Sequence, residues 1–142
     1  MMQRCFDPDR INALFNHTDI RPFIGGDGES VLDLSPAVED RQNIFLLGEH
    51  GGFAFTWSAP RTYEVHTAIL PEGRGPQALE LALTARGWMA EHFADHLWTR
   101  VHPEMANVRA FTIKAGFKAA GEHTIDLGTG PVTYEIFDWR TS

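Results

Sequence analysis

Glu64 and His66 stand two residues apart in the run Thr62-Tyr63-Glu64-Val65-His66-Thr67-Ala68-Ile69-Leu70. The run is rich in β-branched and aromatic residues, which predicts a strand. Alternate side chains of a strand share a face, so Glu64, His66, Ala68 and Leu70 point one way and Tyr63, Val65, Thr67 and Ile69 the other. A carboxylate beside an imidazole on one face can move protons, and an ordinary histidine pKa of about 6.5 suits a base at neutral pH. The same two side chains also fit a buried histidine satisfied by a neighbouring carboxylate. His102 is a further candidate base. The strand runs into Pro71-Glu72-Gly73-Arg74-Gly75, a tight turn, and then into a helix opening near Pro76. Amides at a helix start have no partner inside the helix and attract anions; glycines let a phosphate approach the backbone, and Arg74 adds a full charge. An ordinary tight connection has the same composition.

Other reactive residues form no such set. His92 and His96 are spaced like metal ligands on a helix, with His102 near, but the glutamate that follows the first histidine of a zinc-protease helix is missing and no further ligand is evident, so no metal is expected. Cys5 has no local histidine to activate it. The four tryptophans, Trp57, Trp88, Trp98 and Trp139, read as core or rim packing.

The elements that must position these residues follow from pattern. Asp7 and Pro8 open a helix with Ile11, Leu14 and Phe15 on one face. Pro22 forces a loop, and Ser35-Pro36 caps a short helix to about Arg41. Residues 44–47 and 53–57 form a strand pair about Glu49-His50-Gly51-Gly52, and residues 62–70 a third strand. Residues 76–93 repeat apolar positions at three- and four-residue spacing and form the longest helix. Residues 97–101 form a strand, Asn107 caps a helix that stops at Gly116, and residues 117–127 and 131–139 pair about Gly128-Thr129-Gly130. This order excludes a helical bundle and a β-sandwich and predicts an α/β or α+β sheet covered by helices.

The 142 residues fit a single domain. A formal charge of −7 argues against nucleic acid, which needs a basic face. The charge is concentrated in residues 1–71, where five Arg face ten Asp or Glu, a balance that could attract a cationic amine or simply solubilise the surface. The apolar runs fall short of a membrane span, the start lacks a secretory pattern, and one cysteine cannot form an internal disulfide, so a cytoplasmic protein is expected.

With these pieces in order, the sequence resembles the GNAT acetyltransferase superfamily over roughly residues 44–139. Ala68 to Gly75 resembles the end of the family's fourth strand entering its pyrophosphate loop. Asn107-Val108-Arg109-Ala110 leading to Gly116-Phe117 resembles its Asn-x-x-Ala helix ending in Gly-Phe. The family's loop places Gly, then Gly or Ala, three and five residues after Gln or Arg; counted from Arg74 these are Gln77 and Leu79, with Ala78 one position away. Ile113 and Lys114 stand where a tyrosine acid is often found.

The resemblance implies a mixed, mostly antiparallel sheet of about six strands, helices on both faces, and a cleft between two splayed central parallel strands. It implies acetyl-CoA as donor, held by Ile69, Leu70, Arg74, Gly75, Gln77, Ala78 and Asn107, and an amine as acceptor. The amine would attack directly, with Glu64 and His66 as the acid/base pair. Many relatives are homodimers. Two alternatives remain: a non-catalytic binding module whose donor loop has decayed, and a phage-type enzyme that modifies nucleobases.

Overall fold

A computed structural model describes residues 2–24, 28–126, 128 and 130–141. Among these, seven strands form one sheet: β1 (Gln3–Arg4), β2 (Ile44–Gly48), β3 (Gly51–Ala59), β4 (Thr62–Ile69), β5 (His96–Val101), β6 (Lys118–Asp126) and β7 (Pro131–Arg140). Their spatial order is β1-β2-β3-β4-β5-β7-β6. Every neighbouring pair is antiparallel except β4 and β5, which run parallel. Four α-helices accompany them: α1 (Pro8–Phe15), α2 (Ser35–Glu39), α3 (Pro76–His92) and α4 (Ala106–Lys114). No described helix is long and apolar enough to cross a membrane.

The mixed α/β sheet with helices on both faces is the architecture expected, with one more strand. The addition is β1, two residues that pair with Leu46 and Leu47. Two polar-headed residues carry no alternation that could announce a strand; β1 exists because β2 offers it an edge.

Alternation along β4 sorts the core into two halves. Tyr63 and Ile69 pack with Ala78, Ala82, Ala85 and Met89 of α3. Ala68 turns to the other face, among Ile11 and Phe15 of α1 and Val38 of α2. In β5, Leu97 and Val101 belong to the α3 half, which leaves Trp98 and Arg100 on the α1 face. Glu64, His66 and Arg100 therefore project from one side of the sheet.

Local signals explain most boundaries. The Asp7 carboxylate accepts the amides of Asp9 at 3.0 Å and Arg10 at 3.4 Å, and Pro8 needs no partner at the first helical position. Two expected caps are displaced. Ser35 lies inside α2, because the Asp33 carboxylate already accepts the Ser35 amide at 3.0 Å and turns the chain early. Asn107 lies inside α4, whose N-cap is Met105. There the turn closes first, with Met105 N–H donating to His102 O at 3.0 Å and Glu104 N–H to His102 Nδ1 at 3.1 Å. The loop at Pro22 contains one 3-10 turn, Arg21–Phe23. Leu127 and Thr129 of the expected closing turn lie outside the described residues, as do residues 25–27 of the first loop.

Glu49 and His50 alone form the β2–β3 turn, and Gly51 and Gly52 open β3. A side chain on Gly52 would place its Cβ 2.2 Å from Leu46 O of the adjoining strand, whereas a Cβ on Gly87 in α3 meets nothing within 4 Å. Gly52→Ala should therefore lower unfolding free energy by about 1–3 kcal/mol through forced strand displacement. Gly87→Ala should raise it by about 0.5–1 kcal/mol through helix propensity. Urea unfolding of both variants measures these opposite signs.

Candidate active site

The parallel pair is short. Thr62 pairs with His96, Tyr63 with Leu97 and Glu64 with Trp98, and there the ladder ends although both strands continue. Beyond that point β5 remains joined to β7 through Val101↔Glu135, and β4 to β3 through Ile69↔Gly51. The two central strands thus diverge into a fork.

Two side-chain links cross its apex. Thr99 Oγ1 donates to Val65 O at 3.0 Å. On the α1 face, Arg100 grips Glu64 with both arms, Nε donating to Oε2 at 2.9 Å and Nη2 to Oε1 at 3.2 Å. The planar guanidinium matches the carboxylate, so this contact fixes geometry as well as charge.

Strand chemistry determines what the fork exposes. Hydrogen-bonding direction alternates residue by residue. Leu70 N–H donates to His50 O at 2.9 Å, toward β3, so the backbone groups of residues 65, 67 and 69 face the other way, toward β5. Val65 O receiving Thr99 confirms that parity. Past the last ladder pair, the amides of Thr67 and Ile69 therefore point into the fork without a strand partner. Thr67 is exposed although it lies on a central strand, so the fork is open on the α3 face.

At the end of β4 the chain makes a 3-10 turn, Pro71–Gly73, and enters α3. Gly73 is buried; a Cβ there would come within 2.7 Å of His50 Cβ, so only glycine lets the turn fold against β3. Gly75 is the N-cap with φ 97°, where glycine is favoured, and the space beyond it is open. Ala78 and Leu79 donate to Gly75 O at 3.0 and 3.4 Å. The amides of Gly75 and Gln77 have no protein acceptor among the described residues, and Pro76 has none to give.

The residues expected to hold a donor separate into groups. Gly75 and Gln77 face outward at the corner, and the Gln77 side chain ties it together by donating to Glu72 O at 2.8 Å. Arg74 is exposed but turned back, Nε donating to Ile69 O at 3.2 Å and Nη2 to Asp19 O at 3.3 Å in the segment after α1. Ala78 is buried in the α3 core and does not line the corner. Leu70 cannot pair with an added chain, because its amide is taken by His50 and its carbonyl accepts Gly73 N–H at 2.9 Å. Asn107 sits exposed in the first turn of α4.

Glu64 and His66 are brought together as their spacing suggests. His66 Nε2 lies 3.6 Å from Glu64 Oε1 and 3.3 Å from Thr56 Oγ1. Burial pushes the His66 pKa below the ordinary imidazole value; Glu64 pulls it up, and Arg100 reinforces the lowering. With the downward causes prevailing, the ring is unprotonated at neutral pH and ready to accept a proton. About a third of the His66 side chain is accessible, against 13% for Glu64. Of the remaining histidines, His96 Nε2 pairs with Asp138 Oδ2 at 2.9 Å, and His92 stacks on Trp88 at 4.8 Å between ring centroids. His102 serves the turn before α4 and meets Tyr134 edge-on at 5.8 Å.

Sequence reasoning missed Arg100, Thr99 and Thr56. Arg100 lies 36 residues from Glu64 and Thr56 lies 10 from His66. Their one signal was alternation within β5 and β3, and that becomes informative only once the strand register is known.

No protein-family model matches the sequence, and neither does any curated protein. Solved structures do match the fold. The ribosomal-protein-alanine N-acetyltransferase from Brucella melitensis has a TM-score of 0.77 at 14% identity, covering 99% of this chain and 99% of its own. YncA from Salmonella typhimurium, a putative acetyltransferase solved with acetyl-CoA, has a TM-score of 0.77 at 13% identity, covering 100% and 94%. A mutant spermidine N-acetyltransferase from Vibrio cholerae has a TM-score of 0.76 at 16% identity, covering 99% and 94%. The polypeptide, with its forked parallel pair, has the fold of the GNAT acetyltransferases.

Proposed function

We propose that this protein is an N-acetyltransferase that transfers the acetyl group of acetyl-CoA to an amine. The observation that carries the reading is the fork, where unpartnered amides of β4 lie beside a helix start with unpartnered amides of its own. The pantetheine arm of acetyl-CoA has the amide spacing to replace the missing strand, with Thr67 and Ile69 as its backbone partners. The diphosphate then falls at Gly75 and Gln77, where amides and helix dipole favour negative charge. Arg74 adds its charge by exchanging the Asp19 carbonyl for a phosphate oxygen.

Acetyl-CoA supplies an activated acetyl thioester, and the chain does the rest. A strand amide at the fork stabilises the thioester oxygen as it gains charge. His66 accepts a proton from the amine as its nitrogen bonds to the acetyl carbon and the carbon–sulfur bond breaks. Glu64, clamped by Arg100, steadies the imidazolium rather than exchanging protons itself. The product is an amide, and the thiolate is protonated as it leaves.

One observation favours a second reading, a binding module without a donor site: Gln77 and Leu79 occupy the places of small residues at the loop, and Ala78, one position away, is buried in the core. Calorimetry with acetyl-CoA separates the two. Saturable binding is expected, and Arg74→Ala should weaken it by about tenfold, the worth of one charged hydrogen bond at an exposed site. Absence of binding would establish the module; unchanged affinity in the variant would remove Arg74 from the donor site.

Kinetic measurements test the base. With an amine identified by screening for free-thiol release, His66→Gln should lower kcat by about 10²–10⁴-fold while leaving acetyl-CoA affinity unchanged. A lowered imidazole pKa keeps the base form present down through pH 6.5, so the acid limb of kcat should fall below that pH. An acid limb above the ordinary histidine value would contradict the assignment.

A further inference from the structure

A neutral imidazole carries its proton on one of two nitrogens, and the other is the atom that can act as a base. Two oxygens face His66 Nε2: Thr56 Oγ1 on β3 at 3.3 Å and Glu64 Oε1 on β4 at 3.6 Å. The Thr56 hydroxyl has a second acceptor within reach, the Glu64 backbone carbonyl at 3.5 Å, so it can donate there while its oxygen accepts from the ring. The Glu64 carboxylate accepts both arms of Arg100 from β5 and likewise offers lone pairs. A bare Nε2 could accept the Thr56 hydroxyl but would turn its lone pair toward the Glu64 carboxylate; a protonated Nε2 donates to Thr56 Oγ1 and is drawn to the carboxylate as well, which favours it. Nδ1 has no hydrogen-bond partner among the described residues.

We propose that Thr56, with the Glu64 carboxylate that Arg100 holds in place, is a positioning residue that fixes the Nε2–H tautomer of His66 and leaves Nδ1 as the atom that takes the acceptor's proton. The chemical role of Nδ1 rests on the acetyl-transfer reading; the tautomer does not. In the transfer step, one amine proton moves to Nδ1 as the N–C bond forms, and the C–S bond breaks with its electron pair on sulfur. The resulting imidazolium donates through Nε2 toward Thr56 and Glu64, then returns the Nδ1 proton to the thiolate or to water. Glu64 and Arg100 are the charged groups that interact with this ring, and their opposite charges leave the tautomer to hydrogen bonding.

Thr56→Val keeps the shape and removes the hydroxyl, whereas Thr56→Ser keeps the hydroxyl. Long-range proton–nitrogen spectra of the ¹⁵N-labelled protein at pH 8 read the tautomer directly, and the amide spectrum confirms that each variant is folded. Wild type and Thr56→Ser are expected to show Nε2–H. Thr56→Val should shift toward Nδ1–H, with kcat lower by up to about tenfold, the bias one neutral hydrogen bond imposes, and with acetyl-CoA affinity unchanged. An Nδ1–H signal in wild type, or a pure Nε2–H signal retained in Thr56→Val, overturns the proposal. An Nε2–H signal in a protein that transfers no acetyl group to any amine supports the tautomer and overturns the acetyl-transfer reading instead.

Discussion

A strand that parts from its neighbour must find new partners for the backbone groups it abandons, or leave them for a ligand. That constraint governs the centre of this molecule. β4 and β5 share a parallel ladder through Glu64↔Trp98 and then diverge, because β5 follows β7 and β4 follows β3. Thr99 takes one abandoned carbonyl, Val65 O, and Arg74 takes another, Ile69 O. The amides between and beside them stay open. A buried donor without an acceptor costs about 1–3 kcal/mol, so an opening of this kind persists where solvent or a bound chain completes it.

The same fork organises charge. Arg100 clamps Glu64 at the apex and thereby places a fixed carboxylate beside His66. Burial keeps the ring neutral, while the carboxylate is positioned to steady it once protonated. At the other end Arg74 braces the end of β4 against the segment that follows α1.

The sequence revealed those features that repeat along one segment. Helix α3 was legible because its apolar residues recur at helical spacing after Pro76, and the two faces of β4 because Tyr63 and Ile69 alternate with Glu64, His66 and Ala68. The Glu64–His66 neighbourhood followed from the same period of two. Features decided by competition between neighbours were hidden. Asp33 captured the start of α2 from Ser35, and the His102 turn started α4 before Asn107. Contacts between strands were hidden as well, since the register joining Arg100 to Glu64 and Thr56 to His66 arises from packing. Of the residues the resemblance implied for a pyrophosphate loop, Gly75 and Gln77 face outward at the strand–helix corner, whereas Ala78 faces the core and Leu70 spends its backbone groups on His50 and Gly73.

Amide hydrogen exchange at Thr67 and Ile69, followed residue by residue by NMR with and without acetyl-CoA, reports whether the fork receives the donor. Both amides are expected to exchange freely in the protein alone and to become protected when acetyl-CoA is added, together with those of Gly75 and Gln77. Protection that is already complete without acetyl-CoA, or exchange unaltered at saturating acetyl-CoA, would show that the fork is not where the donor binds.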